Sequence, residues 1–369
     1  MLRKWWFGEA GSEVRGQDPG GWWGIYLFIV IFLISCGEQA INLPNLETER
    51  FQNGIFITNE GGFNNGNASV SFYNKETGVL TEKIFEVANG RPLGDVLQSI
   101  TIDGKKAYLV LNNSNKIEIV RTADFISVRT IRDLVSPRYL QLTDDNTAYV
   151  SDLYNNAISI IDLQTDLEKE SIPFRGWSEE MIKIGKEVFV TQPSLIGKKT
   201  SKQIFIIDTE SNQLTDSLVV GFNPVGLELD KNNHLWVLCN GDFGTTNLGG
   251  LYKVNPADRS ILLSLPFQDN QTSFGPRLEM NGDKDQVYYL KTDVYTLSID
   301  DQQLPVEPII HADGRDLYGL GIDPLTQHIY VGDSGNFQQK GKVSVHYQDG
   351  TEINRFTAGV GINGFYFIN

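Results

Sequence analysis

The stretch Ala148–Asp162, AYVSDLYNNAISIID, sets the pattern for most of this chain. Its two ends, Ala148–Ser151 and Ala157–Ile161, alternate apolar and β-branched residues, which suits strands that are partly buried in a sheet. Between them, Asp152–Asn156 supplies aspartate and asparagine, which favour a tight reversal of the chain. Similar pairs of strands recur, for example in KAYLVLNNSNKIEIV from Lys106. A hairpin repeated in this way indicates an architecture built from repeats.

An aromatic residue marks the centre of the same strand in every repeat: Phe56, Tyr108, Tyr149, Phe189, Trp236, Tyr288 and Tyr330. These residues lie 40 to 52 positions apart, close to the period of a four-stranded propeller blade. The repeat around Ala148–Asp162 is predicted to contain four strands: Tyr139–Thr143, Ala148–Ser151, Ala157–Ile161 and Glu168–Ile172. The other repeats are predicted to follow the same four-strand plan, and no helix of convincing length is predicted after Cys36.

A second set of strands opens the repeats: Leu97–Ile102, Arg138–Thr143, Glu180–Ile184, Pro224–Asp230, Pro276–Met280, Tyr318–Asp323 and Asn363–Ile368. The repeat region begins with an aromatic-type strand, Gly54–Asn59, and ends on an opening-type strand, Asn363–Ile368. We therefore predict an all-β, seven-bladed β-propeller in which the C-terminal strand pairs with the first blade and closes the ring. Six or eight blades, or a two-sheet sandwich, are the alternatives.

Composition limits the classes of function. The chain has 369 residues and a net charge of −15, with 46 acidic against 31 basic residues. We predict no nucleic-acid partner, because no basic stripe is present to displace counterions from a phosphate backbone. Two cysteines, Cys36 and Cys239, allow no disulfide framework and no cysteine-type metal site. No metal and no cofactor is predicted.

The N-terminal segment is predicted to be a secretion and lipidation signal. Trp22–Ser35 is an apolar run of 14 residues, which suits the core of a signal peptide better than a membrane span of about 20 residues. It ends at Leu33-Ile34-Ser35-Cys36, which looks like a bacterial lipobox with Cys36 as the lipidated residue. The alternative is a buried segment that ends at an ordinary cysteine. The segment before the run is long for a signal peptide, so translation starting at a later residue is a further alternative.

We therefore divide the chain into a signal peptide with its lipobox (1–36), a tether (37–50) and the propeller (51–369). This predicts a protein held on a membrane by its lipid anchor alone. Acyl chains contribute roughly 0.8 kcal/mol of anchoring per buried methylene, so two or three chains hold a protein stably.

One face of the predicted propeller carries the long segments. Loops between second and third strands share that face with the connections between blades, and unusual stretches such as Asn59–Asn67 fall there. Its amides, aromatic rings and arginines suit a large, partly polar ligand. The predicted ligand-binding residues are Phe63, Asn64, Asn65, Arg91, Asp95, Gln98, Arg138, Trp177, Phe222, Asn223, Phe243, Arg277, Arg315 and Tyr318. For any one of them, the alternative is a structural role in which arginine and aspartate pair to hold blades together.

The residues NEGGFNNGNASVSFYN (Asn59–Asn74), LGDVLQSI (Leu93–Ile100) and SPRYL (Ser136–Leu140) carry a specific resemblance. The chain resembles the YncE-like surface lipoproteins of Bacteroidota, and AYVSDLYNNAISIIDLQT is similar to the broader YVTN-type propeller repeat. The group includes a domain of unknown function and the BtuG-type proteins, which bind vitamin B12 and pass it to a TonB-dependent outer-membrane transporter. The resemblance implies a lipid-anchored protein of the outer membrane, exposed at the cell surface, that captures cobalamin or another bulky nutrient, by analogy. No cobalamin contact is matched to a position in this chain.

Two other functions remain open on the residues alone. The long-loop face would also serve as a protein-interaction or adhesion platform. A propeller lyase or hydrolase is the third hypothesis, because Asp313, Arg315 and Asp316 beside His311 could form an acid–base cluster. No HExxH or GxSxG motif supports catalysis, so we predict a protein that is not an enzyme.

Overall fold

The computed structural model describes residues 50–194, 199–242, 245–269 and 275–368. They form seven antiparallel sheets, six of four strands and one of three. The first three strands, all in the first blade, are β1 (Gly54–Asn59), β2 (Ser69–Asn74) and β3 (Leu80–Thr81), and a short helix, α1 (Ile84–Asn89), follows them.

The next three blades have four strands each. The second blade comprises β4 (Leu97–Asp103), β5 (Lys106–Leu111), β6 (Lys116–Arg121) and β7 (Ser127–Ile131). The third comprises β8 (Pro137–Asp144), β9 (Thr147–Asp152), β10 (Ala157–Asp162) and β11 (Leu167–Pro173). The fourth comprises β12 (Met181–Ile184), β13 (Glu187–Ser194), β14 (Thr200–Asp208) and β15 (Gln213–Val219).

Three blades complete the ring. The fifth comprises β16 (Pro224–Leu229), β17 (Leu235–Cys239), β18 (Gly250–Val254) and β19 (Ile261–Pro266). The sixth has β20 (Arg277–Met280), β21 (Gln286–Leu290) and β22 (Val294–Ser298). The seventh has β23 (Leu317–Ile322), β24 (Ile329–Asp333), β25 (Lys340–His346) and β26 (Glu352–Val360), with a 3-10 turn at Gly335–Phe337.

The last strand, β27 (Ile362–Ile368), is the innermost strand of the first blade. It pairs with β1 in antiparallel register, with Gly54 opposite Ile368 and Phe56 opposite Tyr366. The predicted seven-bladed architecture and its closure by the C-terminal strand are confirmed. Successive first strands contact one another around a common axis.

The core is divided among the junctions between blades. Seven buried apolar clusters are present in the described residues, and each joins two neighbouring sheets. Second strands such as β9 are almost entirely buried, whereas the outer strand β11 is mostly exposed. The seven aromatic residues that define the repeat are all buried. Full burial of such large side chains contributes roughly 1.5–3 kcal/mol each, so blade-to-blade packing stabilises the ring.

Two elements differ from the four-strand plan. In the sixth sheet the fourth strand is reduced to one bridge, Val294 to Ile310, because Pro305 and Pro308 in the preceding segment lack an N–H for a ladder. In the first blade, β3 has two residues and the helix α1 follows. The helix buries Ile84 and Phe85, so packing stabilises a six-residue helix that its length alone would leave marginal.

Candidate functional site

The two faces of the propeller differ in the length of their connections. We call upper the face that carries the connections between blades and those between second and third strands. The connection between β1 and β2 on this face, residues 60–68, has nine residues. On the lower face, first and second strands are joined by short turns such as Gly104–Lys105 and Gly185–Lys186. First strands run from the upper to the lower face, so their first residues surround the upper end of the axis.

A group of polar side chains lies at this upper end, and we call it the mouth: Glu60, Gln98, Arg138, Glu179, Arg277 and Tyr318. Arg138 is held on both sides. Its Nε lies 3.1 Å and 2.9 Å from the two carboxylate oxygens of Glu179, and its Nη1 donates to Gln98 Oε1. Gln98 Nε2 donates to the hydroxyl of Tyr139 at 3.2 Å. These bonds link the first strands of the second and third blades to the start of the fourth.

The other half of the mouth is built around Tyr318. Its hydroxyl donates to Glu60 Oε2 at 2.6 Å, and the Arg277 guanidinium lies 5.1 Å from the centre of its ring. Phe337 packs edge-on against Tyr318 with ring centres 4.9 Å apart. Burial raises the pKa of Glu60, while the bond from Tyr318 and the charge of Arg138 oppose that rise. The mouth thus presents fixed donors and acceptors in a partly desolvated setting, where they are worth more than in water.

Below the mouth lies a cavity of about 230 Å³. Glu180, Glu228 and Glu279 line it together with Arg277 and Tyr139. Burial raises the pKa of Glu180 to about 8 and that of Glu228 to about 7. Burial and the two neighbouring glutamates raise the pKa of Glu279 well above its usual value. Desolvation penalises the charged form of each carboxyl group, so this cavity holds protons near neutral pH.

Exposed and half-buried aromatic side chains lie in the connections of the upper face. Phe63, in the connection between β1 and β2, is 68% exposed. Tyr154 and Trp177 contact each other edge-on, with ring centres 5.9 Å apart. Phe222 carries the Lys202 ammonium 3.8 Å from its ring centre. Such rings supply apolar contact area around a polar centre, the usual composition of a binding site for a partly polar molecule.

The predicted site residues fall into three groups. Gln98, Arg138, Arg277 and Tyr318 come together at the mouth, and Phe63, Trp177 and Phe222 lie farther out on the upper face. Several others hold loops or blades in place. Arg91 forms a salt bridge of 2.6 Å with Glu118, and Arg315 donates to the carbonyl oxygens of His311 and Ala312.

The asparagines that were predicted to bind a ligand also form hydrogen bonds that hold the loops in place. The backbone N–H of Asn64 donates to Asp95 Oδ2 at 2.9 Å. The Asn65 N–H donates to the carbonyl of Gly62, and Asn223 Nδ2 donates to the carbonyl of Gly241 at 3.2 Å. Phe243 and Cys36 lie outside the described residues.

Sequence reasoning missed the acids of the site: Glu60, Glu179, Glu180, Glu228 and Glu279. A signal was present, because Glu228 in VGLELD and Glu279 in RLEM interrupt otherwise apolar opening strands. These two glutamates can be assigned to a site only once it is known that the opening strands line the axis of the propeller.

Comparison with known proteins shows which family carries this architecture. Residues 53–367 match the family described as Domain of unknown function (DUF5074). The chain belongs to the DUF5074 family. No curated protein matches the sequence.

Solved structures share the fold of this DUF5074 chain at low identity. A quinoprotein alcohol dehydrogenase-like protein of Bacteroides thetaiotaomicron has a TM-score of 0.68 at 17% identity, covering 86% of this chain and 79% of that one. The periplasmic gluconolactonase PpgL of Pseudomonas aeruginosa has a TM-score of 0.62 at 12% identity, covering 85% and 99%. Kuenenia stuttgartiensis hydrazine synthase has a TM-score of 0.58 at 15% identity, covering 73% and 88%. Two of these are named as enzymes, but identities this low show the fold alone.

Within the described parts of this DUF5074 chain, no group of three or more His, Cys, Asp or Glu residues is placed to hold a metal ion. The same residues include no helix with the length and apolar character needed to cross a membrane.

Proposed function

We propose that this protein is a surface lipoprotein that captures a bulky, partly polar small molecule on the upper face of its propeller. The observation that carries the proposal is the mouth itself. Arg138, Gln98, Glu60 and Tyr318 converge at the upper end of the axis from four different blades, directly above a cavity of about 230 Å³. Convergent polar groups flanked by apolar rings are what a small-molecule site requires.

The proposed ligand is a cobalamin-like nutrient, and the proposed recipient is a TonB-dependent transporter of the outer membrane. Support for both comes from the resemblance to BtuG-type lipoproteins. A flat, amide-bearing molecule would place its rim groups on the fixed donors and acceptors of the mouth. Phe63, Trp177 and Tyr154 would then cover its apolar surfaces.

The position of chain entry supports capture by an anchored protein. The Arg50 N–H donates to the carbonyl of Ala123, in the lower-face turn between β6 and β7, at 2.8 Å. The polypeptide that comes from Cys36 therefore joins the propeller on the face opposite the mouth. A lipid anchor at Cys36 would thus leave the mouth unobstructed by the chain's own attachment.

Titration of the intact, detergent-solubilised lipoprotein with cyanocobalamin tests the proposal by calorimetry. We expect binding at micromolar concentration or tighter, and at least a tenfold loss of affinity in the variant Phe63→Ala/Trp177→Ala. Tyr347→Ala, which removes an exposed aromatic ring on the lower face, should bind like the wild type. If no heat of binding is measured at 100 µM cobalamin, cobalamin is excluded as the ligand.

Mass spectrometry of small molecules that co-purify with the protein then tests bulky-nutrient capture more broadly. Equal recovery of every such molecule by the wild type and by Phe63→Ala/Trp177→Ala would contradict a site on the upper face.

A protein-interaction or adhesion platform is the second candidate, favoured by the high exposure of Phe63 on the same face. Chemical cross-linking on intact cells separates the two. Capture of a nutrient for transport requires cross-links to an outer-membrane transporter, whereas an adhesin requires cross-links to material outside the cell.

A further inference from the structure

The cavity below the mouth is rich in acceptors and poor in positive charge. Three carboxylates line it, from Glu180, Glu228 and Glu279, and Arg277 is the single basic residue among the described residues of its wall. Arg277 is already engaged, because its Nε donates to the Asn363 carbonyl at 3.2 Å and its Nη1 to the Pro276 carbonyl at 3.1 Å. It influences Glu279 by charge through space. The wall thus carries more negative than positive charge whenever two or more carboxyls ionise.

An independent observation at the same cavity comes from Asn363, a wall residue that is 3% exposed. Its Nδ2 donates to the carbonyl oxygens of Leu97 at 2.9 Å and Gln98 at 3.2 Å. These two acceptors settle the orientation of the amide, so the other atom is the oxygen. That oxygen is buried and has no hydrogen-bond partner among the described residues. An unsatisfied buried acceptor costs roughly 1–3 kcal/mol, and a ligand N–H would relieve that cost.

Elsewhere in the protein, a buried carboxylate with a structural role receives a full set of hydrogen-bond donors from other side chains. Glu118 is fully buried and receives Arg91 at 2.6 Å, Lys116 at 3.1 Å and Ser127 at 2.5 Å. Among the described residues, no such set of side-chain donors reaches the three glutamates of the cavity. Glu180 accepts one bond, from the backbone N–H of Leu227 at 2.9 Å. The three side chains are half-buried rather than fully buried, so their remaining donors are supplied by whatever fills the cavity.

We propose that this cavity receives a cationic nitrogen group, an ammonium or a guanidinium, carried by the molecule that the mouth captures. The inference rests on the proposed capture of a bulky, partly polar molecule and adds the chemical class of that molecule's inserted end. Cobalamin carries neither an ammonium nor a guanidinium, so the inference favours another bulky nutrient as the ligand. A group of this kind supplies positive charge and several N–H donors at once, which matches three carboxylates and an amide oxygen. A volume of about 230 Å³ is roughly that of eight water molecules, enough for a short alkyl amine or guanidine.

Binding of the cation is linked to proton release. The charged groups that act on the three glutamates are each other, Arg277, Glu179 in the case of Glu180, and Lys284 in the case of Glu228. Tyr139 and Tyr366 are the other titratable groups of the wall. Because burial raises the pKa values of Glu180 and Glu228 to about 8 and about 7, both carry protons over part of the neutral range. A bound cation favours the ionised form, so affinity increases as pH rises from 6 to 8.5.

Calorimetry of the intact protein with n-butylguanidinium and n-butylammonium chloride tests the inference, with 1-butanol as the neutral probe. We expect the cations to bind and 1-butanol not to bind. Affinity should be at least tenfold higher at pH 8.5 than at pH 6, and Glu279→Gln should weaken binding at least tenfold. Glu168→Gln, on the exposed outer strand β11, is the matched control and should leave binding unchanged.

Three results would overturn the inference: no binding of either cation between pH 6 and pH 9, equal binding of 1-butanol, or unchanged affinity in a folded Glu279→Gln protein. Should Glu279→Gln not fold, Glu228→Gln takes its place. Proton release by the wild type, measured in buffers of different ionisation enthalpy, needs no variant; release supports the inference and its absence contradicts it.

These small probes bypass the aromatic side chains of the upper face. Phe63→Ala/Trp177→Ala should therefore bind butylguanidinium like the wild type. Loss of cation binding with retained capture of a bulky ligand overturns this inference alone. Retained cation binding without capture overturns the proposed function alone.

Discussion

Glu118 and Glu279 illustrate two ways in which this protein buries a carboxylate. Burial raises the pKa of Glu118, but hydrogen bonds from Arg91 and Ser127 and the charge of Lys116 outweigh it, so its pKa is lowered overall. Glu279 has no comparable donors, and the neighbouring Glu228 and Glu180 add to the effect of burial. Glu118 therefore contributes to structure as an anion, whereas burial and the neighbouring glutamates favour the neutral form of Glu279.

This difference predicts an unusual dependence of stability on pH. Glu180 and Glu228 have folded-state pKa values of about 8 and about 7, above the ordinary value of 4.5. Between pH 5 and pH 8 the folded chain holds protons that the unfolded chain has lost, so the free energy of unfolding falls as pH rises. The slope is up to about 1.4 kcal/mol per pH unit for each proton.

Urea denaturation at pH 5.5 and pH 8 measures this slope. Glu228→Gln should flatten it, because a neutral amide replaces a group that must otherwise ionise in a desolvated site. Glu168→Gln should follow the wild type. An equal change in the free energy of unfolding between the two pH values for wild type and Glu228→Gln would contradict a raised pKa of Glu228.

Arg138 should be important for stability as well as for the mouth. In Arg138→Met, Glu179 loses both hydrogen bonds from the guanidinium and stays partly buried without a cation. We expect destabilisation of about 3 kcal/mol, since breaking one side of a buried pair leaves an uncompensated charge. Arg355→Met, which breaks an exposed pair with Glu352, should cost less than about 1 kcal/mol. Equal losses in the two variants, measured by urea denaturation, would count against this role of the mouth.

The sequence predicted part of the mouth and missed its acidic half. Gln98, Arg138, Arg277 and Tyr318 were identified because loop position and donor chemistry are visible in a sequence. Glu228 and Glu279 were not, because a polar residue in a strand has no evident direction until the innermost strand of each blade is known. Arg91 satisfied the same criteria as Arg138, yet it binds Glu118, and only tertiary contacts distinguish the two.

At the scale of elements, strand β27 determines whether the ring is closed. It supplies the innermost strand of the first blade and places Ile362 and Phe365 in the apolar cluster between the seventh and first blades. Its Asn363 and Tyr366 also bond to the second blade, at Leu97 and Ile100. One strand therefore joins three neighbouring blades.

Deletion of Gly361–Asn369 should abolish cooperative thermal unfolding, because β1 would be left as a bare edge and a buried cluster would open. Deletion of Asn369 alone is the control and should preserve the transition. Circular dichroism at increasing temperature is the measurement, and a sharp transition at the wild-type temperature in the longer deletion would contradict the role of β27.

The repeat in Ala148–Asp162 was sufficient to predict most elements, and the predicted third-blade strands agree with β8 to β11 within a few residues. The pattern did not predict α1 or the missing fourth strand of the sixth sheet. The spacing of the repeat carries no information about either element. The helix α1 depends on the burial of Ile84 and Phe85, and the fourth strand of the sixth sheet is lost because two prolines lack N–H groups.

At the scale of the whole molecule, the position of chain entry predicts how the propeller is presented on a cell. Arg50 contacts the lower face, whereas Phe63 is exposed on the upper face. With the proposed anchor at Cys36, a membrane-impermeant maleimide should label Phe63→Cys on intact cells several times faster than Lys105→Cys, which lies in a lower-face turn near the entry point.

The only other cysteine, Cys239, is buried, so background labelling should be low. Equal labelling rates of the two variants in detergent-solubilised protein are the control. Equal rates on intact cells would contradict the orientation, and so would protection of Phe63→Cys on cells.

The pairing of Gly54 with Ile368 brings the beginning and the end of the propeller together at the lower face. A short glycine-serine linker could therefore fuse those two positions, and new termini could be opened in another turn of the same face, such as Gly185–Lys186. A circularly permuted gene of this kind would keep the upper face intact while moving the join in the polypeptide to a different blade. Fluorescent proteins attached at the new ends would then turn the propeller into a reporter for whatever occupies its axis.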